Sequence, residues 1–168
     1  CDLLVIGSGP AGLMAALAAG RAGARVMLAD ESFLLGGSLL SENASVGGVS
    51  ALDFVKAAIE ELASLPNVTL MPRMTVFGWY DDMVFGAVER VQKHVAAPSP
   101  DLPMERLWRI VAKRAILASG SEERPLVFGG NDKPGVMTAG AMRTYANRYG
   151  VAAGGKVAVF TNGGSGYR

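Results

Sequence analysis

A six-residue run, Gly7-Ser8-Gly9-Pro10-Ala11-Gly12, constrains this chain more than any other feature. It fits the pattern G-x-G-x-x-G, which carries meaning only when a strand leads into it and a helix follows. Leu3 to Ile6, just before it, is an unbroken apolar run, the pattern of a strand buried on both faces of a parallel sheet. Pro10 to Ala22 is rich in alanine, leucine and methionine, carries proline in its first turn and meets Gly23 at its end, so it reads as a helix. Arg25 to Ala29 is the next buried strand, with Asp30-Glu31 at its carboxyl end. Strand, glycine turn, helix and strand within about 30 residues make a β-α-β unit. The fold class is therefore α/β, a doubly wound Rossmann-like domain with a parallel central sheet.

The same residues point to a chemistry. In such a turn Gly7 makes the bend, Gly9 lets backbone approach a pyrophosphate, and Gly12 lets the helix pack on the strand. The phosphates rest on the helix N-terminus, along Gly9, Pro10, Ala11 and Gly12. Asp30 lies about 20 residues further on, where an acid accepts from the ribose hydroxyls of an adenosine. Glu31 adds negative charge where a 2′-phosphate would sit, which disfavours NADP. Gly36-Gly37-Ser38 follows after a short loop, a placement that brings backbone amides and the Ser38 hydroxyl back over the phosphates or the ribose. Ala118-Ser119-Gly120 ends an apolar strand with small residues, so a dinucleotide has room against Ser119 and Gly120 at the carboxyl edge of the sheet. The competing reading of these last two stretches is a plain turn and a plain strand end. The fingerprint alone does not separate NAD from FAD.

The remaining chain extends the pattern. Leu52, Val55, Ile59 and Leu62 recur at helical spacing behind a Ser50/Asp53 cap, predicting a helix to about Leu65. Val68-Thr69-Leu70 is a short strand. Thr75 to Tyr80 and Val84 to Val95 read as an antiparallel excursion turning at Asp81-Asp82, with a further strand at Arg106 to Val111, so that a small β excursion occupies about 74–111. Arg114 to Ala118 returns as a buried-type strand, Thr138 to Tyr149 reads as helix, and Lys156 to Phe160 as another buried-type strand. The domain division expected is 1–150 for the dinucleotide-binding unit and 151–168 for the start of a second, truncated one, since both ends look cut from something longer.

Composition narrows the function. Sixteen basic against fifteen acidic residues leave no field to hold nucleic acid or an anionic membrane. One cysteine and one histidine supply too few ligands for a zinc or iron-sulfur site, and no histidine-based triad can be assembled. Cys1 reads as a buried structural thiol, and His94 as a solvated strand residue. Trp79, Tyr80, Phe85 and Trp108 are expected in core or interface. No targeting or membrane segment is visible, which makes the cytoplasm the expected compartment.

Several stretches together resemble the alpha subunits of heterotetrameric bacterial sarcosine oxidases. They are Val5 to Gly12, Met27 to Glu31, Leu35 to Leu40, Arg106-Leu107-Trp108, Ser119 to Pro125, and Asn131 to Met137; Arg143 to Val151 is the most family-specific. The resemblance implies an enzyme that oxidatively demethylates sarcosine to glycine, passing the one-carbon unit to tetrahydrofolate or releasing formaldehyde, with oxygen reduced to hydrogen peroxide. It implies that this segment holds NAD, bound rather than turned over, while FAD and FMN of the parent complex lie outside it, the FAD in the beta subunit. Gamma and delta subunits complete the implied hetero-oligomer. Carried over by motif, NAD contacts fall on Ala11, Asp30, Glu31, Ser32, Ser38 and the backbone around Val76, and no catalytic residue is assigned. Two positions depart from the family: Ser119 stands where threonine is common, and Asn162 to Gly166 is richer in glycine. The rival readings are an opine or cyanide-forming amine oxidase subunit binding FAD, and a non-catalytic module in which the nucleotide stabilises an interface.

Overall fold

Alternation along very short strands lets one parallel sheet serve two cores. The computed structural model describes residues 1–164. In chain order it contains β1 (Leu3–Ile6), helix α1 (Pro10–Arg21), β2 (Val26–Ala29), the hairpin β3 (Ser45–Val46) and β4 (Val49–Ser50), helix α2 (Ala51–Ser64), and β5 (Val68–Met71). There follow β6 (Met74–Tyr80), β7 (Val84–Arg90), β8 (Glu105–Val111), β9 (Arg114–Leu117) and helix α3 (Ala139–Arg143), which continues as a π-turn over Thr144–Arg148. The parallel sheet has the order β5-β2-β1-β9, so the chain steps outward from β1 to β5 and then returns to the opposite side of β1. That reversal places a switch point between β1 and β9, where such sheets hold ligands at their carboxyl ends.

Neighbouring side chains on a strand point to opposite faces. Val5, Val26 and Leu28 face α1 and α2, where Leu13, Leu17, Val55 and Leu62 complete one buried cluster. Leu4, Ala29 and Met71 face the other way, onto Met74, Phe85, Ala87 and Ile110 of the excursion. Helices thus cover one face of the sheet and the antiparallel β6-β7-β8 meander covers the other. The excursion spans 74–111 as expected, and its first turn falls at Asp81–Met83. Helix α2 starts where the cap predicts, with Asp53 N–H donating to Ser50 Oγ at 3.1 Å.

Three expectations need correction. Lys156 to Phe160 forms no strand and is exposed throughout: an apolar run becomes a buried strand only when neighbours pair with it, and nothing among the described residues does. The strand expected to reach Val95 stops at Arg90, so His94 lies in the turn beyond it. Cys1 precedes β1 and is half-buried. Of the aromatics expected in core or interface, Phe85 is in the core with Trp108 packed beside it, and Trp79 and Tyr80 lie outside the core, exposed on β6. Residues 165–166 of the final glycine-rich stretch fall outside the described residues.

Candidate functional site

The site is built where β1, β2 and β9 end. Gly7 turns the chain at φ +101°, a conformation that side chains strain to adopt, and a Cβ there would collide with the Ala118 carbonyl at the end of β9. A Cβ on Gly12 would run into the Gly7 carbonyl, so the helix lies on the turn as closely as backbone allows. Gly9 differs: its side is open, with nothing within 4 Å of where a Cβ would be. Two glycines of the run are required by the fold, and the third leaves its space to whatever binds.

Ser8, between the first two glycines, is fully buried and ties three segments together. Its N–H and its hydroxyl both donate to Asp30 Oδ2, at 2.7 and 2.6 Å, and its Oγ accepts from Gly36 N–H at 3.0 Å. Asp30 Oδ1 accepts from Ser32 N–H at 2.8 Å. The acid read as a ribose acceptor is thus also the organiser of its own turn, with lone pairs remaining for a ligand. Gly37 adopts φ +55°, and its Cβ position lies 2.7 Å from Gly9 Cα. The double glycine therefore does fold back over the first loop, with Ser38 exposed just beyond it in a short 3-10 turn over Gly37–Leu40.

The other candidates fall around this turn. Pro10 and Ala11 are exposed at the start of α1, and Glu31 is exposed beyond Asp30. Ser119 and Gly120 are exposed, and the Ser119 backbone nitrogen lies 3.0 Å from the Gly7 Cβ position. The start of β6 is stitched to the end of β2, since Met74 N–H donates to Asp30 O at 2.8 Å and Arg73 N–H to Ser32 O at 2.9 Å. Val76 lies two residues further along β6, half-buried, with its side chain on the meander core; its backbone is what remains for a ligand.

Beside Glu31 opens a shallow cavity of about 360 Å³, lined by Ser32, Phe33, Arg73, Arg90, Lys93 and His94 as well. Arg90 donates to Glu31 O at 3.1 Å and to Thr75 Oγ1 at 3.2 Å, while Lys93 pairs with Glu105 at 2.8 Å. None of these basic residues, nor Ser8, stands out in the sequence as a binding residue. They come from the ends of β5 to β7, and only the strand order brings them to β2.

Residues 2–84 match the family described as FAD dependent oxidoreductase. The alpha chain of the sarcosine oxidase of Rhizobium meliloti strain 1021 is 66% identical over 167 residues, a match covering 99% of this chain and 17% of that protein. A chain of the opine oxidase of Agrobacterium tumefaciens strain Ach5 is 33% identical, over 93% of this chain and 31% of its own length. Among solved structures, the L-proline dehydrogenase from P. horikoshii superposes with a TM-score of 0.71 at 25% identity, covering 91% of this chain and 29% of that one. These findings bear out the resemblance to sarcosine oxidase alpha subunits and the Rossmann-like fold of the FAD-dependent oxidoreductases. The chain spans about a sixth of the length of the Rhizobium meliloti protein.

Proposed function

We propose, for a chain that carries the FAD dependent oxidoreductase fold and is similar almost end to end to sarcosine oxidase alpha subunits, that it is the dinucleotide-holding module of one of them. The single observation behind this reading is the contrast among the glycines: Gly7, Gly12 and Gly37 are closed in by backbone, while Gly9 faces open space at the N-terminus of α1. That is the cradle a pyrophosphate fits, with the helix dipole and the free amides of the first turn opposite its charge. Asp30 and Glu31 then meet the adenosine ribose, Ser38 and the backbone near Val76, Ser119 and Gly120 border the ligand, and Ser8 holds the turn in shape.

NAD is the occupant carried over from the sequence resemblance, and FAD, which the family match supports, is the second reading. Both share the ADP half, which this reading places against the glycine turn and Asp30. In the NAD reading the group is bound rather than turned over, whereas FAD would supply electron transfer; in either case the residues of this chain bind it and orient its phosphates. The parent enzyme would convert sarcosine, oxygen and water to glycine, formaldehyde and hydrogen peroxide, or pass the one-carbon unit to tetrahydrofolate, with beta, gamma and delta subunits as partners. Residues 1–150 would form the nucleotide domain and 151–168 lead into a second one. Among the described residues no helix is long and apolar enough to cross a membrane, and a cytoplasmic setting suits the proposed assembly.

The test is acid release of whatever copurifies with the full-length protein, identified by mass spectrometry, beside the same preparation of Gly9→Ala. We expect NAD in the first and little or none in the second, at an unchanged circular dichroism spectrum, because the open flank of Gly9 accommodates a methyl group without touching the protein. FAD would move the site to the flavin branch. Absence of any nucleotide from a folded full-length protein would overturn the proposal.

A further inference from the structure

The stretch that the nucleotide reading leaves unused is α3 and its π-turn, which carry the most family-specific part of the sequence. We propose that Asn147 and Arg148 are positioning residues of the nucleotide site: they latch the outer part of loop 31–41 over the phosphate turn, so that occupancy of the site and docking of segment 139–148 favour one another. The proposal rests on the dinucleotide reading above.

The inner part of the loop is already fixed through Ser8, Gly36 and Gly37. Its outer part is exposed at Phe33, Leu34 and Ser38. Two side-chain contacts from far along the chain hold it. The Asn147 side-chain amide donates to Ser41 O at 2.8 Å, and the Arg148 guanidinium lies 5.4 Å from the centre of the Phe33 ring. Arg73 lies at the same distance from that ring, so Phe33 gathers cations from both the excursion and the π-turn. The docking segment has its own anchor: the Glu123 carboxylate accepts from Ala139 N–H at 3.2 Å and Gly140 N–H at 2.6 Å, and Thr138 Oγ1 accepts from Ala141 N–H. The helix then widens into a π-turn where it meets the loop, a distortion often found at functional sites.

None of residues 139–148 is buried, so the docking depends on directional contacts of small individual worth rather than on apolar area. Such an equilibrium is easily shifted. A dinucleotide held by the loop amides stiffens the loop and strengthens docking, and by reciprocity docking strengthens nucleotide binding by the same factor.

The experiment measures NAD affinity of the full-length protein and of the pair Asn147→Ala with Arg148→Gln, together with hydrogen exchange of amides 139–148 with and without NAD. We expect Kd to rise about five- to tenfold in the double variant, at an unchanged melting temperature of the nucleotide-free protein. NAD should slow exchange across 139–148 in the natural sequence and not in the variant, and Arg148→Lys alone should bind NAD as the natural sequence does. Equal affinity in the double variant, or weakened binding with no NAD-induced protection of 139–148, overturns the latch. If the natural sequence binds neither NAD nor FAD, the dinucleotide reading itself fails, and the latch with it.

Discussion

Among the described residues every buried hydrophobic side chain lies at or before Ala112, nearly all of them in two clusters on opposite faces of one sheet, whereas none after it is buried. The later stretch is not short of apolar residues: Val127, Val157 and Phe160 all lie exposed. The two regions differ in pairing, not in greasiness. In the first, parallel neighbours satisfy the backbone and turn alternate side chains onto helices or meander. In the second, past β9, the backbone finds no sheet partner among the described residues, and order comes from a carboxylate on a helix start, the side-chain amide hydrogen bonds of Asn131 and Asn147, the edge-to-face pair of Phe128 and Phe160 and a cation over a ring. Hydrophobic sequence makes a core only where a pleated or helical frame collects it.

The contrast breaks most decisively through paired truncations in the full-length protein. Leu28→Ala should cost about 2–5 kcal/mol in denaturant unfolding, since it empties a fully buried position. Phe160→Ala should stay within about 0.5 kcal/mol. A comparable loss from both would mean that the later stretch has a core after all. Next in size, Ser8→Ala strips the acceptor from Gly36 N–H and leaves Asp30 Oδ2 with one of its two donors, for about 1–3 kcal/mol. It should also release bound nucleotide, read by mass spectrometry.

Smaller still, Glu123→Ala should weaken the start of α3 by about 0.3–1 kcal/mol and leave global unfolding unmoved. Trypsin cutting at Arg143 and Arg148 should then quicken while the melting temperature holds; a lowered melting temperature would tie this stretch into the cores. The smallest effect concerns Asp2, whose carboxylate meets Arg25 and Lys113. The Arg25 and Lys113 side chains hold its pKa below the usual carboxylate range. A depressed folded-state value means that the contribution is complete above the ordinary carboxylate range and fades as pH falls through the folded-state value. Asp2→Asn should therefore lower stability slightly near neutrality, with the difference shrinking as pH falls below the ordinary carboxylate range, so that the acid limb of the profile flattens.

Much of this was legible from residues alone, and the rest was not, for reasons of reach. The β1-α1-β2 unit, the Ser50 cap and the excursion are written locally, in apolar runs, proline placement and turn residues, so they appear where expected. Asp30 was legible as an acid at the right spacing, but its grip on Ser8 was not: position 8 is an unspecified letter in the glycine pattern, and its partner Gly36 is supplied by a later loop. Arg73, Arg90 and Phe33 meet only because β5 lies beside β2. Lys156 to Phe160 shows the opposite failure, a strand-like composition with no strand beside it.

One consequence follows from the placement of β1. Leu4 and Val5 are adjacent, both wholly shielded, and each is a member of a different cluster. A single strand with hydrogen-bonded neighbours on both sides is therefore a party wall between helical layer and meander. Neither layer can melt without uncovering half of that wall. Probes on α2 and on β7 should accordingly report one transition at one temperature, and the nucleotide turn, hung directly on the end of β1, disappears with it.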